Sequence, residues 1–409
     1  MPTLMAIAGK FPSQIQPWLL NSLEQAIHHG WSVWVASASI GDRDYPPKVD
    51  RLSLLERTIT ASVGKPQAVV RALSTACTPT DRGRLTRLGL GRAATALSPI
   101  YSLREAANRI IKAPLYALDE VDLLHSHELV FAHALLDVKR SLGKPLVHTF
   151  HGLLPKGVDG LSERKRSEFF AAVDLCLVNT RFAQGQVEDL GCASAKIRIL
   201  PQGTDLTLFP FRPGSSDGAR PLRILTVGRL HADKGQEYAI RAIRQLLDDG
   251  VNVTFRIVGG GPDEPRLRAL VREMNLQASV ELAGRLSQSA LERSYEWADV
   301  FLLPSVDSED GSHVETQGVV LQEAQASGAI VVATRTGGIP ECIDDKRSGF
   351  LVPDRSPGAI AATLSGISAN PQRWREWQVA GRRWVEDRYD TKRIGPMLIR
   401  LYDEVLQTS

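Results

Sequence analysis

The stretch Glu315–Gly328, ETQGVVLQEAQASG, sets two carboxylates in E-x7-E spacing around a glycine that opens a helix. Gly318 begins that helix and Gly328 ends it. The free backbone N–H groups of its first turn, backed by the positive end of the helix dipole, form an anion seat. A nucleoside diphosphate is the anion that such a seat suits. Glu315 just before the helix and Glu323 on it then have a use as acceptors for the hydroxyls of a ribose and a sugar. Taken alone, the segment also reads as a surface helix with exposed glutamates.

Two further segments bear on the choice. VGRLHADKG places Arg229 and Lys234 in the loop after a strand. A guanidinium fork and an ammonium there would neutralise a diphosphate and stabilise it as a leaving group, whereas a solvated basic loop is the bland alternative. IVGGGPDEP puts Gly259, Gly260 and Gly261 directly after another strand, in a turn where backbone can approach a ligand. A glycine-rich turn by itself is a weak signal. Gly337 and Gly338 in RTGGIPE add one more strand-end turn.

A different chemistry competes for the first half. His125 and His127 fall on one side of a strand, and with His148 and His151 they could ligate a metal in a hydrolase. Histidine pairs of this kind are more often structural or substrate-facing.

The elements that must carry these residues alternate between strand and helix. Leu4–Ala8, Trp31–Ala36, Val121–Leu124, Pro145–Thr149, Leu175–Val178 and Ile197–Leu200 read as strands. Trp18, Leu19, Leu23 and Ile27 recur at helical spacing before Gly30. The alternation breaks at PQGTDLTLFPFRPGSSDGARP, residues 201–221, a Pro-, Gly- and Ser-rich linker. It restarts with Leu222–Val227, Val253–Val258, Val280–Leu282, Val300–Leu303 and Ile330–Ala333. The expected fold class is α/β, two mostly parallel sheets covered by helices on both faces, with a cleft between the halves.

Composition agrees with this and removes other classes. A chain of 409 residues suits two domains, and 43% hydrophobic with 23% charged residues is a globular profile. A net charge of +3 gives no indication of nucleic-acid binding. Cys77, Cys176, Cys192 and Cys342 are widely separated, which suits reduced thiols in a cytoplasmic protein. No apolar run reaches transmembrane length, and MPTLMAIAGK lacks a basic lead and reads as a first strand.

VGRL followed by KG, IVGGGP, PS, E-x7-E and TGGIPE, in this order, resemble the retaining family-4 glycosyltransferases of GT-B fold. The likeness is nearest to the branch that builds bacterial exopolysaccharides of colanic-acid type. LLHSHE (123–128), HTFHG and QGTD look like the family's corresponding N-terminal segments. The resemblance implies two Rossmann-like domains, 1–207 on the acceptor side and 208–390 for the nucleotide sugar, with a helix in 391–409 packing back on the first. It implies that Arg229 and Lys234 grip the donor diphosphate, Glu323 the ribose and Glu315 the transferred sugar. The Gly318–Val319 backbone would meet a phosphate, the backbone near Leu286 would border the base, and Gly259 belongs to the same donor-binding set. His151 matches the histidine that lines the active site and orients sugar and acceptor.

Two departures from the family pattern stand out. The loop AGKFPSQIQPW has only Gly9 where a glycine pair is usual, with Lys10 as a substitute phosphate contact. The acidic approach Asp307–Glu315 is longer than usual and reads as a solvated loop near the acceptor, with a metal site as the lesser alternative. No cofactor or divalent ion is expected beyond the nucleotide-sugar donor. The expected acceptor is a saccharide or a lipid-linked saccharide. Residues 81–112 mix Arg82, Arg84, Arg87, Arg92, Arg104, Arg109 and Lys112 with leucines and isoleucines. That mixture suits a surface resting on anionic lipid at the inner face of the plasma membrane, and equally a helix pair with a solvated basic face. An epimerase or phosphorylase of the same fold, and a sugar-binding module without activity, are the remaining alternatives.

Overall fold

The computed structural model describes residues 1–13, 17–41, 45–62, 103–152, 161–214, 220–308 and 314–408, together with Thr86, Leu88, Leu90 and Arg92. Seven strands form the first sheet: β1 (Thr3–Phe11), β2 (Ser32–Ile40), β3 (Thr58–Thr60), β4 (Leu123–Ser126), β5 (Leu146–Thr149), β6 (Leu175–Val178) and β7 (Ile197–Ile199). Six form the second: β8 (Leu222–Val227), β9 (Val253–Val258), β10 (Val280–Gly284), β11 (Val300–Leu303), β12 (Ile330–Thr334) and β13 (Gly349–Val352). The orders are β3-β2-β1-β4-β5-β6-β7 and β10-β9-β8-β11-β12-β13. Every pairing is parallel.

Parallel strands covered on both faces tend to near-continuous apolar runs. LCLV of β6 and VFLL of β11 are accordingly buried at all four positions. In each sheet the strand order reverses once, between β1 and β4 and between β8 and β11. Helices leave to opposite faces at such a point, so the loops at the strand ends part and open a crevice.

The terminal helix Thr391–Thr408 does not stay with the second sheet. Its Leu398, Tyr402 and Val405 share one core with Leu4 of β1 and with Leu19 and Leu23 of the helix Pro17–His28. The two helices cross closely: a Cβ on Gly395 would stand 2.0 Å from Gln25 Oε1. Trp31 meets Tyr402 edge-on at 5.1 Å between ring centroids.

Leu175–Val178, Leu222–Val227, Val253–Val258 and Val300–Leu303 are strands with the limits expected from sequence. β3 and β13 were not anticipated. β3 is three residues at a sheet edge, and β13 begins on a glycine inside the turn-rich KRSGFLVPD, so neither carries a readable period. One sequence expectation needs correcting. Lys112 is only 4% exposed, bonded through Nζ to Asp137 and, at 3.2 Å, to the Ala134 carbonyl, and so adds nothing to an open basic face. Arg92 is paired with Asp119. Arg82, Arg84 and Arg87 lie outside the described residues.

Candidate functional site

The loop after β8 is built on Asp233. This carboxylate is 3% exposed, bonded by His231 Nδ1 at 2.5 Å, and lies 3.8 Å from Arg229 and 3.9 Å from Lys234. A buried carboxylate that collects cations fixes the loop in one shape. From there Lys234 reaches across to Glu315, Nζ to Oε2 at 2.6 Å, with only 12% of its side chain exposed. Arg229 is 66% exposed and free to reach outward. The structure therefore joins Lys234 directly to Glu315, which sequence spacing does not reveal.

Gly259 has φ +143°, and a Cβ there would stand 1.8 Å from the Gly228 carbonyl oxygen. A Cβ on Gly261 would lie 2.2 Å from the Leu230 oxygen. The glycines of this turn thus allow backbone to pack on the neighbouring loop, the one that carries Arg229. This is a close approach of backbone to backbone within the protein.

The helix Val319–Ser327 starts at Gly318 and ends at Gly328, whose φ of +99° belongs to the left-handed cap that glycine favours. The Val319 N–H donates to the Gln317 carbonyl at 3.1 Å. Four residues on, Glu323 accepts a hydrogen bond of 2.6 Å from Tyr295 Oη. Burial pushes the Glu323 carboxyl up to about 7, against the opposing pull of that hydrogen bond. Leu286 packs, half-buried, on the apolar cluster beneath Tyr295.

Three residues that sequence reasoning missed tie this half to the other. Thr316 donates through Oγ1 to the His151 carbonyl at 3.2 Å, and it accepts from Asn179 Nδ2 at 3.0 Å. Gln317 exchanges a pair of bonds with the Gln202 backbone, 2.9 and 3.1 Å. Glu341 accepts the N–H groups of Arg181 and Phe182, each at 2.9 Å, at the N-terminus of the helix Arg181–Asp189. A carboxylate is favoured at that end of a helix. Thr316 and Gln317 directly follow Glu315, so their adjacency to a site residue was the one signal available.

The histidines of the first half form a polar cluster under this seam. His125 is bonded to Tyr402 Oη at 2.6 Å and Thr149 Oγ1 at 2.7 Å, and His148 Nδ1 to Ser126 Oγ at 2.7 Å. Burial lowers both rings to about 3. His127 Nδ1 lies 2.9 Å from His151 Nε2, and Trp18 stacks on the His151 ring at 3.5 Å between centroids. Among the described residues, no three His, Cys, Asp or Glu side chains are placed to hold a metal ion. The reading of these histidines as a metal site is corrected by their arrangement, since hydroxyls, an amide and a second imidazole take both nitrogens of His125 and of His151 and one each of His127 and His148.

Glu128 is a further cleft-side group that sequence reasoning passed over. Its carboxyl lies over Gly9, with Oε2 only 1.4 Å from where a glycine Cβ would be. The pair stands where β1 and β4 end, at the crevice of the first sheet.

Comparison with known proteins follows the same division. Residues 66–208 match the model described as glycosyltransferase family 4, and residues 221–370 that of the glycosyl transferases group 1. A protein named as the colanic acid biosynthesis glycosyltransferase WcaL of Salmonella typhimurium is 32% identical over 370 residues, 88% of this chain and 89% of that one. The amylovoran biosynthesis glycosyltransferase AmsK of Erwinia amylovora is 30% identical over 373 residues, with the same two shares. Among solved structures, Anabaena HepE in complex with UDP superposes with a TM-score of 0.72 at 16% identity, covering 99% of this chain and 100% of that one. Sucrose-phosphate synthase of Thermosynechococcus elongatus gives 0.72 at 21% identity, with both chains covered in full. At such identities the structures speak to the fold, while the sequence relatives and family models carry the kinship: the chain belongs to glycosyltransferase family 4 and has the GT-B fold.

Proposed function

We propose that this glycosyltransferase moves a sugar from a nucleoside-diphosphate sugar to a saccharide or lipid-linked saccharide acceptor, with retention of configuration, in the synthesis of exopolysaccharide or another cell-surface glycan. The observation that supports this best is the line Lys234–Glu315–Thr316–His151, which joins the two halves through contacts of 2.6 and 3.2 Å. Arg229, Lys234 and the N-terminus of the helix Val319–Ser327 take up the charge that grows on the diphosphate as its bond to the sugar lengthens. Those cationic groups make a divalent ion unnecessary. Glu323 takes the ribose, Glu315 the transferred sugar, the Gly318–Val319 backbone a phosphate, with the Val319 N–H exchanging the Gln317 carbonyl for it, and the surface at Leu286 and Gly259 the nucleoside. His151 orients the sugar against an acceptor hydroxyl that enters on the same face. The complex of HepE with UDP supports a nucleoside diphosphate as occupant, and the names of WcaL and AmsK support an exopolysaccharide product.

The reading is tested by warming the protein with a panel of nucleotide sugars. A donor present at about 100 times its Kd stabilises by about 2.7 kcal/mol through mass action. One member should raise Tm clearly above the rest, and the anomeric coupling in the NMR spectrum of its transfer product should match that of the donor. Equal Tm with every nucleotide sugar would overturn it.

For location we propose the cytoplasmic face of the membrane, with the segment containing Arg82, Arg84 and Arg87 resting on anionic lipid. No helix among the described residues is long and apolar enough to cross a membrane. Sedimentation with anionic vesicles should be lost with neutral ones, weaken in salt, and fall when the three arginines become glutamates. Equal recovery in the supernatant throughout would leave a solvated basic face.

A further inference from the structure

The contacts of His151 leave its two ring nitrogens unequal. Nε2 lies 2.9 Å from His127 Nδ1, and Nδ1 lies 3.2 Å from the side-chain Nε2 of Gln202. Burial lowers both imidazoles well below their usual value, so each carries a single proton. An amide N–H only donates, so His151 Nδ1 must be the bare, accepting nitrogen. The proton of His151 then sits on Nε2 and is donated to His127 Nδ1. This in turn puts the proton of His127 on its own Nε2. That atom is buried without a hydrogen-bond partner, on a residue only 9% exposed. Leaving a buried donor orphaned is unfavourable, and it persists only where another demand fixes the ring.

The surroundings identify that demand. Trp18 stacks on His151 with ring planes 26° apart, and His127 lies at 20° to the same ring, so both neighbours hold its plane. The His151 carbonyl is held by Thr316, one residue from Glu315. Only the Nδ1 edge is loosely occupied, by the longer of the two contacts at the ring nitrogens, and a cavity of about 40 Å³ borders both His151 and Gln202. A substrate hydroxyl can replace the Gln202 amide there as donor to Nδ1.

We propose that His127 is a positioning residue: by accepting the Nε2 proton of His151 it presents His151 Nδ1 to the substrate as an acceptor for a sugar hydroxyl. This rests on the placement of His151 in the transfer site, and it adds the direction of the hydrogen bond and the residue that sets it. His151 is then neither a general acid nor a donor toward the sugar.

The test is made on the full chain labelled with 15N-histidine, using long-range 1H–15N correlation, with the His151 signals assigned by their loss in His151→Gln. His151 should show a protonated Nε2 and a bare Nδ1, unchanged between pH 6 and pH 8. In His127→Phe, which keeps a flat ring but has no acceptor, the two His151 shifts should move toward averaged values. In His127→Asn the amide oxygen can stand where Nδ1 stood, and the single tautomer should return. Release of nucleoside diphosphate from the nucleotide sugar that stabilises the protein should fall about 10-fold or more in kcat for His127→Phe, with donor KM within about two-fold, and recover in His127→Asn. A proton on His151 Nδ1 in the wild type, or an unchanged tautomer in His127→Phe, overturns the proposal. So does a released tautomer with unchanged kcat, in which case the wild-type activity leaves the transferase reading standing. If no nucleotide sugar stabilises the wild type or is turned over, the transferase reading itself fails, and the positioning role with it, whatever tautomer His151 adopts.

Discussion

Thr316 Oγ1 donates to the carbonyl of His151 at 3.2 Å, so the residue that follows Glu315 is fastened to the residue that faces it from the other sheet. The separation of the two halves at the site is thereby set by this hydroxyl, by Asn179 and Thr180, both bonded to Thr316, and by the bonds of Gln317 and Glu341 across the same seam. A substrate that spans the halves meets groups whose spacing is already fixed, which lowers the entropy lost in reaching a reactive geometry.

Arg229 and Lys234 should respond differently to removal. Arg229 is 66% exposed, and its contact with Asp233 at 3.8 Å is long, so Arg229→Ala should leave Tm nearly unchanged while transfer falls about 100-fold. Lys234 is largely covered and bridges Glu315 and Asp233. Lys234→Ala should lose transfer to a similar degree and also lower stability by about 1–3 kcal/mol, because its partners are left short of a donor. Thermal melts and initial rates on both variants check this, and a folded, fully active double variant would remove the diphosphate role.

Much of this arrangement is legible in the amino-acid sequence. Gly318 and Gly328 delimit their helix because one residue type serves both ends, and Glu315 and Glu323 stand out by their spacing around it. Four core strands are legible to the residue: LCLV and VFLL are apolar throughout, and LRILTV and VTFRIV are apolar runs broken only by Arg223, Thr226, Thr254 and Arg256. Pairing at a distance is not. Thr316 meets Asn179 across 137 positions and Glu341 caps Arg181 across 160, and no local period records such contacts. The four histidines stand out by type, yet type does not tell a metal set from a hydrogen-bonded cluster. Only the partners Tyr402, Thr149 and Ser126 decide that, and Tyr402 comes from the last helix of the chain.

Glu323 makes stability and donor binding depend on pH in opposite senses. Its carboxyl is raised from the usual 4.5 to about 7 by burial, so the folded protein keeps a proton that the unfolded chain releases. The resulting stabilisation is complete below the unfolded value and is lost as pH rises through about 7. Glu323→Gln carries no such loss, so its Tm relative to wild type should rise between pH 5 and pH 8. A nucleotide sugar, with both phosphates esterified, does not itself titrate in that window. Its affinity for the wild type should increase from pH 6 to pH 8 as the carboxylate forms, and should stay flat in Glu323→Gln. A parallel pH dependence in the two proteins would reject Glu323 as the ribose acceptor.

Gly338 and Gly9 both lack room for a methyl group, but only one change should matter to the fold. A Cβ on Gly338 would stand 2.0 Å from the Thr316 carbonyl oxygen and 2.9 Å from Thr180 Oγ1, inside the seam. Backbone there cannot yield without parting the halves, so Gly338→Ala should destabilise by about 1–3 kcal/mol or more and lower kcat. At Gly9 the clash is with the end of the flexible Glu128 side chain, which can swing away. Gly9→Ala should melt like the wild type. Comparable losses of Tm in the two would mean that Glu128 is held as firmly as the seam.

Asp299 offers a control outside the site. It is fully buried just before β11, and its two carboxylate oxygens take hydrogen bonds from Arg220 at 2.5 and 2.8 Å and from Arg223 at 3.0 Å, together with the Arg223 backbone N–H at 3.0 Å. The group stands where the central strands β8 and β11 begin, and the loops that carry Arg229 and Glu315 leave from their other ends. Asp299→Asn keeps the shape but takes the carboxylate charge away from two partly buried guanidinium groups. Removing one partner of such a buried cluster costs about 3–5 kcal/mol. The variant should therefore melt far below the wild type, yet show unchanged donor KM and kcat at a temperature where it is still folded. A kinetic defect at that temperature would mean that the register of β8 against β11 is transmitted to Arg229 and Glu315, and that the two ends of the second sheet are not independent.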